Sequence, residues 1–200
     1  MTIKTGRLNR EFFARDTLTV ARELLGRRLV RVLDGNRFSG RIVEVEAYVG
    51  QNDQASHARP GRTKRNAPMY GPPGHAYVYF IYGMHHCFNV VTERDGFPAA
   101  VLIRALEPLE GIEAMRTRRG GRPDVQLTSG PARLCQALDV DRQFDGVDLC
   151  APDALLFLED GVCVPDEEVA AGPRIGVRGD EAAVTVPWRF YVRHSRYVSH

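Results

Sequence analysis

No apolar run in this sequence approaches the ~18 residues that a membrane-crossing helix needs, and the segment through Phe13 holds no apolar core of a secretory signal. Cysteine is scarce. Cys87, Cys135, Cys150 and Cys163 are widely spaced and form no C-x-x-C pair, which excludes the usual signatures of a disulfide framework or thiolate metal knot. Lysine is nearly missing, with Lys4 and Lys64 set against 25 arginines. No internal repeat, low-complexity tract or linker interrupts the chain. These absences lead to the expectation of a cytoplasmic protein with reduced, mostly buried cysteines, organised as a single domain over residues 1–200.

What is present fits that expectation. At 200 residues, a domain of this length buries ~70% of the surface its unfolded chain exposes, enough to fold without staples. Apolar residues at 44% and charged residues at 26% exclude disorder.

The net charge of +2 hides a segregation. Between Asp139 and Glu168 stand ten acidic residues and one basic one, Arg142, so the remainder carries 26 basic against 15 acidic residues. Three clusters supply much of that excess: Arg59, Arg62, Lys64 and Arg65; Arg116, Arg118, Arg119 and Arg122; and Arg189, Arg193 and Arg196. A basic surface with a segregated acidic segment suggests a polyanionic partner. Arginine in place of lysine favours bidentate phosphate contacts. The alternative is that these are solvated faces without a partner.

The local signals are those of short strands and turns. Asp16 caps a helix through Leu25 that Gly26 ends. Residues 29–33 and 38–43 form a hairpin about Asp34-Gly35-Asn36, and its second strand continues to Tyr48. Residues 50–74 are polar and rich in Gly and Pro, a long loop of the kind that is usually functional. Strands are expected at Ala76–Tyr82, Cys87–Thr92 and Ala99–Leu106. Pro108 is expected to open a helix through Ile112 and Met115, and Ser129 to cap another whose core face carries Leu134, Ala137 and Leu138. The class is α+β, a single domain with a curved, largely antiparallel mixed sheet and surrounding short helices.

Four places can carry chemistry. Strand alternation in Val43-Glu44-Val45-Glu46-Ala47-Tyr48 turns Val43, Val45 and Ala47 one way and Glu44, Glu46 and Tyr48 the other. Two carboxylates on one face repel unless the site pairs or uses them, and one so poised is a candidate general base or metal ligand; an exposed polar face is the plainer alternative. In Tyr77-Val78-Tyr79-Phe80-Ile81-Tyr82-Gly83-Met84 most aromatics suit a core, but Tyr82 and Met84 fall at a turn tip, where apolar side chains can act as a wedge between bases. His57 lies in the long loop beside the Arg59–Arg65 cluster and can fold back over Glu46. Glu46, Asp53 and His57 could imitate a metal set, whereas adjacent His85 and His86 on a strand point oppositely and cannot easily share an ion. Arg104, in an otherwise apolar strand, needs a carboxylate partner, either as a structural pair or to orient a catalytic Glu.

These motifs resemble the alkyladenine (3-methyladenine, or methylpurine) DNA glycosylase family along nearly the whole chain. The resemblance rests on Gly40 through Tyr48, Ser56-His57, Arg65-Asn66, Pro73-Gly74, Tyr77 through Met84, Asn89, Leu102 through Gly111, Ser129-Gly130-Pro131, Leu134 through Leu138, Arg174 through Val177, and Arg189 through Arg193. It implies a monofunctional DNA glycosylase of the bacterial type, without the long N-terminal extension of eukaryotic relatives. Such an enzyme needs no cofactor and no metal, and acts as a monomer on double-stranded DNA containing damaged purines, with no membrane partner. By that resemblance Tyr82, with Met84, enters the minor groove and fills the gap left by a flipped nucleotide. The base stacks between Tyr48 and His57 with Tyr79. Glu46 activates the attacking water, which Arg104 and the carbonyl of Ile175 help hold, and Asn89 rejects guanine. Arg59, Arg62, Lys64 and Arg65 are the expected phosphate contacts. His85 follows Met84 where relatives carry an aromatic, so the groove contact there differs. Two rival readings remain at this stage: a metal-dependent hydrolase built on Glu46, Asp53 and His57, and a non-catalytic nucleic-acid-binding module using the basic clusters.

Overall fold

The computed structural model describes residues 6–199; Lys4 lies outside the described residues. After a short helix α1 (Arg10–Phe13) comes α2 (Thr17–Leu24), whose N-cap Asp16 accepts a bond from the Thr19 amide as its sequence position predicts. Gly26, at φ +86°, then turns the chain where any side chain would run into the carbonyl oxygen of Val162.

Strands β1 (Arg28–Leu33) and β2 (Asn36–Val49) form the expected hairpin. Asp34 and Gly35 both have positive φ, so the connection is a two-residue turn, and Asn36 already pairs with Leu33. β3 (Ala76–Ile81), β4 (His85–Val91), β5 (Ala99–Glu110), β6 (Leu156–Glu159), β7 (Val169–Gly172) and β8 (Arg189–Val192) complete an open sheet ordered β3-β4-β5-β2-β1-β6, with β8 joined to β2 and β7. Every pair is antiparallel. β2 is the hub: β5 lines one edge, while β1 and then β8 share the other.

Helices α2 and α4 (Pro131–Leu138) cover the sheet. Val20, Ala21 and Leu24 of the first, with Leu134, Ala137 and Leu138 of the second, bury against Ile42, Val45, Ala47, Ile103 and Leu106. Among the described residues no helix is long and apolar enough to cross a membrane.

Three local expectations are corrected. Pro108 does not open a helix: it pairs with Gly40 near the end of β5, beside a register shift where an absent N–H is tolerated. Helix α3 (Ile112–Arg118) starts after Gly111 instead. Ser129 does not cap α4: Gly130 holds that position, Pro131 supplies the first turn, and Ser129 bridges to Ala105. Val43 does not face the main core. A bulge leaves it unpaired between Ile42↔Leu106 and Glu44↔Ala105, and it packs with Ala105 and Tyr197 in a separate cluster.

Candidate active site

The long loop between β2 and β3 is tied down by buried polar residues. Asp53 accepts from the Val49 and Ala55 amides. Asn66 accepts from the Thr63 amide and donates to the carbonyls of His57 and Gly61 at 2.7 and 2.8 Å. These bonds bring His57 back over the sheet, as expected. There the loop, β2, β3, β4, β5 and the segment after β7 enclose a cavity of about 420 Å³. Its lining includes Glu46, Tyr48, His57, Tyr79, Asn89, Arg104 and Ile175, all singled out from the sequence, together with Tyr82 at the rim.

Glu46 is fully buried. Its Oε1 accepts the Ile175 amide at 2.7 Å and lies 3.1 Å from Arg104 Nη1, and its Oε2 accepts the Tyr48 hydroxyl at 2.8 Å. A carboxylate oxygen has about two acceptor positions, and Oε2 accepts one bond among the described residues. The group of Ile175 that touches Glu46 is its N–H. Arg104 sits between two carboxylates, with Nε 3.2 Å from Oε1 of Glu44. Burial alone would lower the Arg104 pKa, but Glu46 and Glu44 outweigh it and hold it above the usual arginine value.

The walls are aromatic. The His57 and Tyr79 rings meet edge to face with centroids 4.5 Å apart, and His57 Nδ1 is 2.8 Å from the Tyr77 hydroxyl. Burial, then the charge of Arg65, lowers the His57 pKa below the ordinary histidine value. Burial, reinforced by Glu46, raises that of the Tyr48 phenol. Burial likewise raises that of Tyr79, with Cys87 as the next cause. Asn89, opposite Tyr77 across the β3–β4 pair, donates Nδ2 to the Tyr77 carbonyl at 2.9 Å and is thereby fixed in the wall.

The β3–β4 turn carries the tip residues. Tyr82 is 83% and Met84 70% exposed, and Tyr82 has φ +53°, a left-handed conformation unusual for a bulky side chain. His85 lines the cavity, while His86 packs beside the Phe80 ring, so the two point apart as expected.

Arg59, Arg62, Lys64 and Arg65 are exposed and pair with no carboxylate among the described residues. The other two clusters are partly engaged internally. Arg116 pairs with Glu113 and Asp124, Arg118 and Arg119 bond to residues of α4, and Arg189 pairs with Glu44.

The proposed metal set does not assemble. Both Asp53 oxygens are taken by Arg174, at 2.6 and 2.8 Å. No group of three His, Cys, Asp or Glu among the described residues is arranged to hold an ion. Nor are Glu44 and Glu46 an exposed polar face, since both are buried and ion-paired.

Sequence reasoning missed Arg174. It also bonds the carbonyls of Ala47 and Ala183, and its guanidinium carbon lies 4.8 Å from the Tyr48 ring centre. Its segment, Arg174 through Val177, was among those resembling the family, but no role was given to the arginine.

The site thus combines a buried carboxylate held by three partners, aromatic cavity walls, an exposed basic loop and an exposed apolar turn. The chain belongs to the methylpurine-DNA glycosylase family, whose model matches residues 11–196. It is 52% identical over 193 residues to a candidate 3-methyladenine DNA glycosylase of Methanocella arvoryzae, covering 96% of this chain and 95% of the relative. It is 50% identical over 192 residues to one of Carboxydothermus hydrogenoformans (96% and 98% covered), and 53% over 194 residues to one of Streptomyces avermitilis (96% and 90%).

Proposed function

We infer that this chain is a DNA glycosylase that flips alkylated or deaminated purines out of duplex DNA and hydrolyses the N-glycosidic bond, leaving an abasic site. The candidate substrates are 3-methyladenine, 7-methylguanine, hypoxanthine and ethenoadenine. The observation that carries this reading is the buried Glu46 carboxylate in the lining of the aromatic cavity, held by Tyr48, Ile175 and Arg104.

The chemistry follows from those contacts. Water on Oε2 is aimed at C1′ of the extruded nucleotide and gives its proton to Glu46 as the sugar becomes oxocarbenium-like. Arg104 and the carbonyl of Ile175 are the further groups this reading assigns to the water. An N-alkylated purine is cationic and leaves as the neutral base, so one carboxylate suffices for it, and the Tyr48, His57 and Tyr79 walls favour a cationic ring; neutral hypoxanthine and ethenoadenine must in addition take a proton from solvent on the departing ring. Asn89, which its bond to Tyr77 keeps from swinging aside, crowds the exocyclic amine of guanine; 7-methylguanine carries the same amine and is released only because its cationic ring leaves readily. Tyr82 and Met84 fill the vacated stack, and Arg59, Arg62, Lys64 and Arg65 hold phosphates. Flipping costs a few kcal/mol, least at damaged or mispaired sites, and so adds selectivity.

The same reading treats residues 1–200 as one monofunctional, monomeric domain acting in the cytoplasm, where bacterial DNA lies. Glycosylases that also nick the strand use an amine to form a Schiff base, and Lys64 is exposed and absent from the cavity lining.

The experiment is to identify the free bases released from methylated and deaminated duplexes, with borohydride and, separately, excess chelator. Release of damaged purines without a trapped adduct and without chelator sensitivity is expected. A borohydride-trapped protein–DNA adduct would contradict the water mechanism. Loss of release with chelator would favour the metal-hydrolase reading, and binding without release the non-catalytic module.

A further inference from the structure

The mechanism above uses Glu46 and Arg104 but leaves Glu44 unexplained. Glu44 is as deeply buried as Glu46. Its Oε1 takes Arg104 Nε at 3.2 Å and Arg189 Nη1 at 3.0 Å, and its Oε2 takes the Ser199 amide at 2.7 Å. The Ser199 hydroxyl in turn accepts Arg104 Nη2 at 3.1 Å and lies 3.4 Å from Nε. The guanidinium is therefore gripped along one edge by Glu44 and Ser199, and only Nη1 is presented to Glu46.

The bulge at Val43 makes this grip possible. Because Val43 turns to the same side as Glu44, it forms an apolar seat with Ala105, and Tyr197 fills that seat. Burial of Tyr197 delivers Ser199 two residues later onto Glu44.

We propose that Glu44 and the tail residue Ser199 are positioning residues for the reaction: they clamp Arg104 so that it holds Glu46 in its water-activating orientation, and the site is complete only when the 197–199 segment is docked. This rests on the glycosylase reading given above. Arg104 freed from the clamp gains rotamers, and Glu46 loses a fixed partner on Oε1. The chemical step suffers while the aromatic slot and the basic loop, which bind the lesion, remain intact.

The test uses Ser199→Ala, Ser199→Pro and Ser199→Thr in the full chain, alongside Glu44→Gln and wild type. Single-turnover base release, affinity for a lesion duplex and thermal stability are measured for each. Ser199→Pro removes both the amide donor and the hydroxyl, Ser199→Ala removes the hydroxyl alone, and Ser199→Thr keeps both. The clamp requires release to fall at least tenfold for Ser199→Pro, less for Ser199→Ala, and to recover with Ser199→Thr, with duplex affinity within twofold throughout. If wild type releases base and Ser199→Pro does so at the same rate, the clamp is wrong and the glycosylase reading stands. Parallel losses of rate and affinity would make the segment merely structural and also overturn it. If wild type releases no base, the glycosylase reading fails and the clamp falls with it. Should Glu44→Gln not fold, the Ser199 series alone decides.

Discussion

Tyr48 donates its hydroxyl to Oε2 of Glu46 at 2.8 Å, from a position two residues further along the same strand. One side chain thus presents a ring to the cavity and a donor to the carboxylate. A hydrogen bond to a charged group contributes ~1.5–3 kcal/mol. Tyr48→Phe is therefore expected to slow single-turnover base release about tenfold or more while leaving affinity for a lesion duplex nearly unchanged. Tyr48→Ala should lose both. A full-rate Tyr48→Phe enzyme would mean that the hydroxyl does not aim Glu46.

Tyr82 stands at φ +53° with its ring in solvent. Such a conformation costs a bulky residue on the order of 1–3 kcal/mol, and glycine is free of that cost. Tyr82→Gly should raise the melting temperature, or leave it unchanged, while excision falls, most for lesions that are well paired and stacked. Equal losses for paired and mispaired hypoxanthine would argue against a wedge.

Arg59, Arg62, Lys64 and Arg65 are solvent-exposed on the loop that carries His57. Each phosphate neutralised contributes ~0.9 to the slope of log affinity against log salt. Reversing two of these charges should flatten that slope by about two phosphates' worth. An unaltered slope would place the duplex on another face.

The His57 pKa is lowered by burial and then by Arg65. Unfolded, the imidazole titrates near ~6.5. Between that value and the lower folded one, the unfolded chain binds a proton that the native state does not. The His57 contribution to stability is then fully present above the unfolded pKa, declines as pH falls through the window, and levels off below the folded pKa. In an NMR titration, Arg65→Ala should move the His57 midpoint upward but short of ~6.5, since burial, the larger cause, remains. His57→Gln should make stability less sensitive to pH in that window. A downward movement in Arg65→Ala would contradict the assignment.

How much of this was legible depended on sequence distance. The Asp34-Gly35 turn, the Asp16 cap and the pairing of Glu46 with Tyr48 on one face are local, and alternation or turn chemistry reveals them. The pocket walls were legible through motif resemblance, because each lies within a matched segment. The Val43 bulge was not legible, since it depends on how β5 pairs, and it changed which valine reaches the core. Pro108 read as a helix start because a strand proline is rare, yet the register shift beside Gly40 accommodates it. Of the partners of Glu44 and Asp53, only Arg104 was marked in the sequence as needing a carboxylate; Arg189, Ser199 and Arg174 lie more than a hundred residues away, and nothing local announces them.

The central claim is that the Glu46 carboxylate activates the water. Gln at this position keeps the size and an acceptor oxygen but cannot take the proton. The decisive measurement is single-turnover release of hypoxanthine or 3-methyladenine by Glu46→Gln, with affinity for the same duplex measured in parallel. The account requires release to become undetectable while affinity stays within a few-fold of wild type. Release near the wild-type rate by a correctly folded Glu46→Gln protein would contradict it.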